Sequence, residues 1–314
     1  MKKNFCSTAV AVLCFLLAAC GKQTVKPAEV STAETTMEIE EQPERVFVLN
    51  MKDQNSDAFM TGVMNAFTDS NAILEFAEGI DEEDCKAKLL QACEDGYEYI
   101  VGVVPVIVDM IAEIASEYPE TEFAIFDAEV PLDNVTGFYV DREDAYFEAG
   151  AIAAKMTTQD GVPGINEEMT IGWIGGMNLP IVKIYFTAFE NGARSVEPEI
   201  QILEQYIGNW NDPEEGKLLA VEQFEMGADV ILSLTDESTQ GILEAADEAG
   251  FYVIDASGRE QNEEAVLGSI RDDMEQVGYH MVKKMLNGIS ADGSYVELTA
   301  EDGCVVLDKD SKAY

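Results

Sequence analysis

KLLQACEDGYEYIVGV (residues 88–103) and LAVEQFEMGADVILSL (residues 219–234) share one pattern. Each starts as a helix, reaches a glycine (Gly96, Gly227) and runs on into an apolar stretch short enough to be a buried strand. Glycine is favoured just past a helix because it enters the left-handed region without a Cβ clash. Each segment then leads through a second helix to a strand that ends in Asp. The first ends Ala124-Ile125-Phe126-Asp127-Ala128, the second Tyr252-Val253-Ile254-Asp255-Ala256. Any two βαβ units share part of this grammar, but the matched order of four elements favours duplication of one α/β unit.

Outward from these segments, short apolar runs alternate with amphipathic stretches. Strands are expected at 46–49, 99–104, 123–126, 170–174, 201–206, 230–234 and 252–254. Helices are expected at 57–67, 83–94, 107–117, 143–156, 181–195, 214–226, 239–249 and 272–286. Strands alternating with helices of ten or more residues give parallel sheets with crossover helices. Fresh strand signals at 46 and 170 predict two such sheets. Open parallel sheets bind ligands beyond the carboxyl ends of their strands, so two lobes predict a shared cleft. Asp127 and Asp255 fall at those ends, either facing the cleft or serving as helix caps and loop groups.

The chain of 314 residues has room for two domains. Its 19 Lys and Arg stand against 61 Asp and Glu, a formal charge of −42. That surface repels nucleic acid, which is held by neutralising phosphates, and gives no electrostatic docking on anionic lipid. Apolar residues at 47% suffice for ordinary cores. The N-terminus reads as a signal peptide over 1–19: Lys2 and Lys3, an apolar stretch from Phe5 to Leu17, then Leu17-Ala18-Ala19-Cys20-Gly21. A cysteine directly after small residues resembles the bacterial lipobox, so Cys20 is expected to carry lipid and become the first residue. Residues 20–44, rich in Thr, Glu, Ala and Pro, read as the lipidated cysteine and a tether. Cys85 and Cys93 lie eight apart on one predicted helix, about 12 Å, too far for a disulfide. With Cys304 they are expected to be buried thiols.

Much chemistry is missing. His280 is the one histidine, and it is expected to project into solvent from the polar face of its helix, which leaves no Ser-His-Asp or Cys-His site. Asp53 to Asp57 imitates the start of a calcium loop, but Ala58 and Met64 stand where glycine and glutamate are required. Gly172, Gly175 and Gly176 follow a strand without forming a phosphate-binding motif. No metal site and no cofactor are expected. Trp210, in a loop after a strand, is either a stacking platform for a ring or a packing residue.

TIGWIGGMNLPIVKIYFTAFENGA (170–193) resembles the signature of the basic membrane protein family, PnrA/Med-like solute-binding lipoproteins of ABC transporters. YIGNWNDPEEGKLLAVEQFEMGADVI (206–231), REDAYFEAGAIAAKM (142–156) and YPETEFAIFDA (118–128) continue the likeness, which covers nearly all of 45–314. The resemblance implies a type I periplasmic-binding-protein fold: α/β, two Rossmann-like lobes with parallel sheets and a hinged ligand cleft. It assigns 45–141 plus 272–298 to the N-terminal lobe and 142–271 plus 299–314 to the C-terminal lobe. It implies a ligand site built from Asn55, Ser56, Asp57, Asp127, Met177, Asn178, Trp210, Asp236, Asp255, Ser257 and Arg271.

Known members of that family bind purine nucleosides, and this sequence departs from their pattern at several places. Asn55 stands where the nucleoside binders have a stacking aromatic. The family's ribose-binding acid falls on Ser257, or on Asp255 with a two-residue gap. Arg271 replaces a lysine, and the loop from Thr235 to Gly241 loses two glycines and gains Asp236 and Glu237. The resemblance therefore implies a non-enzymatic, lipid-anchored binding protein on the extracytoplasmic face of the cell membrane. Its partners would be a small polar ligand, first of all a purine nucleoside, and an ABC permease and ATPase, with no nucleic acid. A ligand sensor, or a binder of a sugar-like or vitamin-like solute, is the alternative. An enzyme acting on a sugar or nucleoside is the third reading.

Overall fold

Alternation of strand and helix begins at β1 (Arg45–Met51) and continues through α1 (Ser56–Phe67), β2 (Ile73–Gly79), α2 (Glu82–Glu94), β3 (Tyr99–Gly102), α3 (Val106–Ala115), β4 (Glu122–Phe126) and β5 (Val135–Val140). It resumes with α4 (Glu143–Thr157), β6 (Thr170–Gly175), α5 (Pro180–Val196), β7 (Gln201–Tyr206), α6 (Pro213–Glu225), β8 (Val230–Leu234), α7 (Thr239–Ala249), β9 (Tyr252–Asp255) and β10 (Val266–Asp272). The chain closes with α8 (Met274–Leu286), β11 (Tyr295–Leu298) and β12 (Val305–Lys309). This computed structural model describes residues 43–51, 56–68, 70–103, 106–257, 264–288 and 295–309. The leader, Cys20, the tether as far as residue 42 and Asn55 lie outside the described residues.

Two six-stranded sheets form, in the orders β11-β5-β4-β3-β1-β2 and β12-β10-β9-β8-β6-β7. Position by position, β1 to β5 correspond to β6 to β10. The α2–β3 and α6–β8 segments, whose sequences echo one another, occupy equivalent places. The outermost strands break the match. β11 runs parallel to β5, whereas β12 runs antiparallel to β10. The chain leaves β11 at the end where the parallel strands finish, so it must enter the second sheet running the other way.

Local chemistry fixes the helices. Asp212 caps α6 by accepting from the Glu215 N–H at 3.1 Å, with Pro213 in the first turn, where its missing N–H is no loss. Asp273 caps α8 through the N–H groups of Glu275 and Gln276. Gly250 ends α7 in the left-handed conformation at φ 88°. In each lobe helices cover both faces of the sheet: α1 packs on α8 and α2 on α3 in the first, α4 on α5 and α6 on α7 in the second. A buried cluster fills each outer face, around Leu89 and Ile111 in one lobe and Ile242 and Phe251 in the other. A third cluster spans both lobes, from Phe59 and Met281 through Tyr146 and Cys304 to Trp173.

The helices and seven strands fall close to where the sequence places them. Five strands were not expected: β2, β5, β10, β11 and β12. β2 is a largely exposed edge strand carrying Glu75 and Glu78, so its apolar signal is weak. β5 and β10 each contain a glycine, and β5 follows β4 with no helix between, which breaks the alternating pattern. His280 is a correction. It is only 23% exposed, and its Nδ1 lies 3.7 Å from Asp302, because the 299–304 connection folds over that face of α8. Cys85, Cys93 and Cys304 are free and buried, as expected.

Candidate functional site

The chain passes between the lobes three times: from β5 to α4, from β10 to α8, and from β11 to β12. Backbone bonds tie these crossings together. Asp141 N–H donates to Leu298 O at 2.8 Å, and Asp273 N–H donates to Cys304 O at 2.9 Å. Arg142 and Asp272 clamp two of the crossings side chain to side chain. The guanidinium donates from Nε to Oδ1 at 2.8 Å and from Nη2 to Oδ2 at 2.6 Å. Such a fork-on-fork pair fixes direction as well as distance. Nη1 donates to Val140 O at 3.1 Å and to Tyr185 Oη at 3.3 Å. Burial opposes the charge of Arg142, but the bond to Asp272 and its carboxylate outweigh it, and the guanidinium is held more firmly protonated than usual.

Around this clamp lie two cavities. The larger, about 660 Å³, is lined by Asp127 and Glu129 after β4, Tyr139 and Val140 of β5, Arg142, Ile181, Ile184 and Tyr185 of α5, and Tyr295 and Glu297 of β11. The smaller, about 250 Å³, is lined by Arg142, Tyr146, Tyr185, Leu234, Ala256, Ser257, Ile270, Arg271 and Asp272. The larger is the size of a small-molecule pocket, with apolar and aromatic walls, and is rich in acids, since Asp141 and Glu143 also line it beside Asp127, Glu129 and Glu297. The larger draws residues from both lobes; the smaller is walled by the second lobe, including the end of β10, and Arg142 and Tyr185 line both. The Asp127 carboxyl sits above the ordinary range. Burial raises it, Arg142 pulls it down and Asp272 pushes it up.

The sequence-chosen residues are distributed unevenly around these cavities. Asp127 lines the larger; Ser257 and Arg271 line the smaller. Arg271 also pairs with Asp308 at 2.9 Å. Asp255 is fully buried beneath the smaller cavity, and its oxygens accept from the N–H and the hydroxyl of Ser257, each at 2.9 Å. Asp236 is exposed after β8 with φ 49°. Met177 is half-buried and Asn178 exposed in the turn before α5. Trp210 lies flat against the β6 turn: a Cβ placed on Gly176 would meet its ring at 2.1 Å. Ser56 opens α1, and Asp57 is exposed in its first turn, its carbonyl accepting from Thr61 Oγ1 at 2.8 Å. Trp210, Met177, Asn178, Asp236 and Asp57 line neither cavity.

Sequence reasoning missed Arg142, Asp272, Tyr139 and Tyr185. A cation placed between a strand and a helix, in a chain this acidic, was the available signal for Arg142. Among the described residues no group of three or more His, Cys, Asp or Glu is placed to hold a metal ion. Nor, among them, is any helix long and apolar enough to cross a membrane.

Two α/β lobes with parallel sheets, joined by three crossings beside a pocket, define a binding protein of the periplasmic type. Residues 52–314 match the family described as ABC transporter substrate-binding protein PnrA-like, and the chain belongs to that family, whose members bind substrates rather than transform them. It is 28% identical over 217 residues to a nucleoside-binding protein of an ABC transporter from Lactococcus lactis, covering 68% of this chain and 56% of the relative. The chain thus matches only about half of that curated relative's length. Among solved structures it is similar to a transcriptional activator of the comK gene from Bacillus halodurans, with TM-score 0.67, 20% identity, and coverage of 86% of this chain and 92% of that one. An ABC-transporter solute-binding protein from Aeropyrum pernix aligns with TM-score 0.60 and 21% identity over 85% and 77% of the two chains. These structural likenesses carry the fold.

Proposed function

We propose that this protein captures a small polar solute between its lobes and delivers it to the permease of an ABC importer. The observation that carries this reading is the pocket of about 660 Å³, walled by both lobes at the point where the chain crosses between them. Ligand bound there touches both lobes at once, so it favours the closed arrangement by its differential affinity for that state. A purine nucleoside is the first candidate ligand. The family membership and the nucleoside-binding relative support it; Asn55 in place of a stacking aromatic weakens it. Asp127, Ser257 and Arg271 are the sequence-chosen residues that supply polar groups to the cavities. Cys20 carries the lipid that holds the protein at the outer face of the membrane, and Cys20→Ser would release it into soluble fractions. The test of the ligand is a thermal-shift screen of inosine, guanosine, adenosine, cytidine and riboflavin. Ligand at a hundred times its dissociation constant stabilises the native state by about 2.7 kcal/mol. No shift with any nucleoside at millimolar concentration would remove the nucleoside reading and leave solute binding standing.

A further inference from the structure

We propose that Arg142 is a ligand-contacting residue. With Asp127 it forms a matched donor and acceptor for a single hydroxyl of an uncharged, ring-bearing solute. This rests on the solute-binding reading above and adds a residue and a ligand class to it.

A guanidinium carries five N–H groups and accepts nothing. Four of those on Arg142 are spent: Nε on Asp272 Oδ1, one of Nη2 on Asp272 Oδ2, and the two of Nη1 on Val140 O and Tyr185 Oη. The second N–H of Nη2 enters none of these bonds. Nη2 lies 4.0 Å from Asp127 Oδ2, too far for a hydrogen bond. That gap admits one oxygen atom at about 2.8 Å from each partner. Asp127 is half-exposed at 49% and walls the larger cavity, while Arg142 lines both.

The pair is selective because its members ask opposite things of one atom. The carboxylate needs a donor; the guanidinium needs an acceptor. A hydroxyl is both. At this one position an ammonium group would serve Asp127 but face the guanidinium with hydrogens and like charge; Glu129, Asp141, Glu143 and Glu297 wall the same cavity and offer a cation other partners, so a cationic probe belongs in the test. A carboxylate or phosphate would serve Arg142 but face Asp127. The walls complete the class. Tyr139, Tyr185 and Tyr295 surround the space with aromatic surface suited to a ring, and Tyr185 is held by stacking on Tyr146 at 4.5 Å and 13°.

The Arg142 side chain and the Asp127 backbone are fixed before ligand arrives. Arg142 is gripped by Asp272 and Tyr185. Asp127 has a left-handed backbone, φ 52°, with its N–H bonded to Phe138 O at 2.8 Å. Such a conformation is uncommon for a residue other than glycine. A pre-positioned pair loses little freedom on binding, which favours affinity.

The experiment is calorimetry with inosine, guanosine, their 2′-, 3′- and 5′-deoxy analogues, D-ribose and agmatine. The proteins are the wild type, Asp127→Asn and Arg142→Gln. One deoxy analogue is expected to bind the wild type roughly tenfold or more weakly than its parent, the loss of one charge-assisted bond. The same analogue should lose little further on Asp127→Asn, because the two changes remove one interaction. Arg142→Gln should weaken the parent nucleoside by a similar factor. Asp127→Asn, at a half-exposed position, keeps the test open if Arg142→Gln does not fold. If nucleosides bind but every hydroxyl deletion is additive with Asp127→Asn, the assignment falls and the solute-binding reading stays. If agmatine binds and the nucleosides and ribose do not, the uncharged class is overturned while the pocket remains a solute site. If none of these probes binds, the assignment falls together with the nucleoside reading.

Discussion

Asp127 and Asp255 end the same kind of strand, at the same place in two copies of one unit, and meet different fates. Asp255 is still inside β9. It is fully buried, and both its oxygens are turned onto Ser257. Asp127 stands one residue past the end of β4 in a left-handed conformation, with its carboxylate half-exposed beside the larger cavity. A one-residue difference in where the strand stops converts a turn-holding group into a cleft-facing one. The lobes also differ in their hinge-side cores. Trp173, Phe186 and Phe189 pack edge-on and tilted under α4 and α5. Phe59, Val63 and Met281 fill the corresponding space beneath α1 and α8.

The largest effect is expected where both lobes use one device. In each, two helices meet backbone to backbone through a pair of glycines. A Cβ on Gly192 would fall 1.8 Å from Phe147 O, and one on Gly278 would fall 2.3 Å from Phe59 O. Gly192→Ala should cost about 3 kcal/mol, at the upper end for overpacking, and Gly278→Ala somewhat less. Urea unfolding measures both. Equal losses would show the lobes to be equally tight, and a negligible loss at Gly192 would break the argument from close approach.

The Asp pair gives the next contrast. Asp255→Ala empties a fully buried position and leaves the part-buried Ser257 N–H and hydroxyl without this acceptor, and should cost about 1–3 kcal/mol of stability. Asp127→Asn, which keeps a side chain suited to the left-handed backbone at φ 52°, should change stability by less than about 0.5 kcal/mol. Its effect should appear in binding instead, as a loss of roughly ten- to a hundredfold. Melting curves and calorimetry on both variants decide this. A large stability loss at Asp127 would make the two aspartates equivalent after all.

A smaller effect is expected in acid. Burial raises the Asp302 carboxyl, but the Thr299 N–H, Lys284 and His280 outweigh it and hold it below its ordinary range. A carboxyl lowered by folding contributes stability above its unfolded value, near pH 4, and that stability is lost as pH falls through the folded value. Asp127 is raised, so its contribution has the opposite sign: protonation relieves it as pH falls. Asp302→Asn should therefore flatten the acid limb of the stability curve, and Asp127→Asn should steepen it. Denaturant midpoints between pH 3 and 6 report the two slopes, and equal slopes would refute the assignment.

The smallest expected signal is chemical. Burial pushes the Cys304 thiol up to about 12 and Cys93 to about 11. At pH 8 neither should react with an exposed-thiol reagent in the native protein, and both should react in denaturant. Fast native labelling at Cys304 would reveal opening at the third crossing, which has no counterpart within either lobe.

Periodicity, glycine stops and the doubled helix–strand pattern determine from the sequence that this is a two-sheet α/β protein, because each depends on contacts within about a dozen residues. The buried thiols were legible for the same reason. The hinge strand β5 was not, since no helix separates it from β4, and β10 was not, since Gly268 interrupts its apolar run. Nor was the site's grouping. Arg142 and Asp272 are 130 positions apart and meet only because two crossings run side by side. Trp210, chosen from its loop, is laid against Gly176 by the packing of β6 and does not line either cavity. Two nearly identical strand endings left the sequence no means of telling Asp127 from Asp255. The tertiary structure decided it, through where each strand's hydrogen bonding stops and which lobe faces the open end.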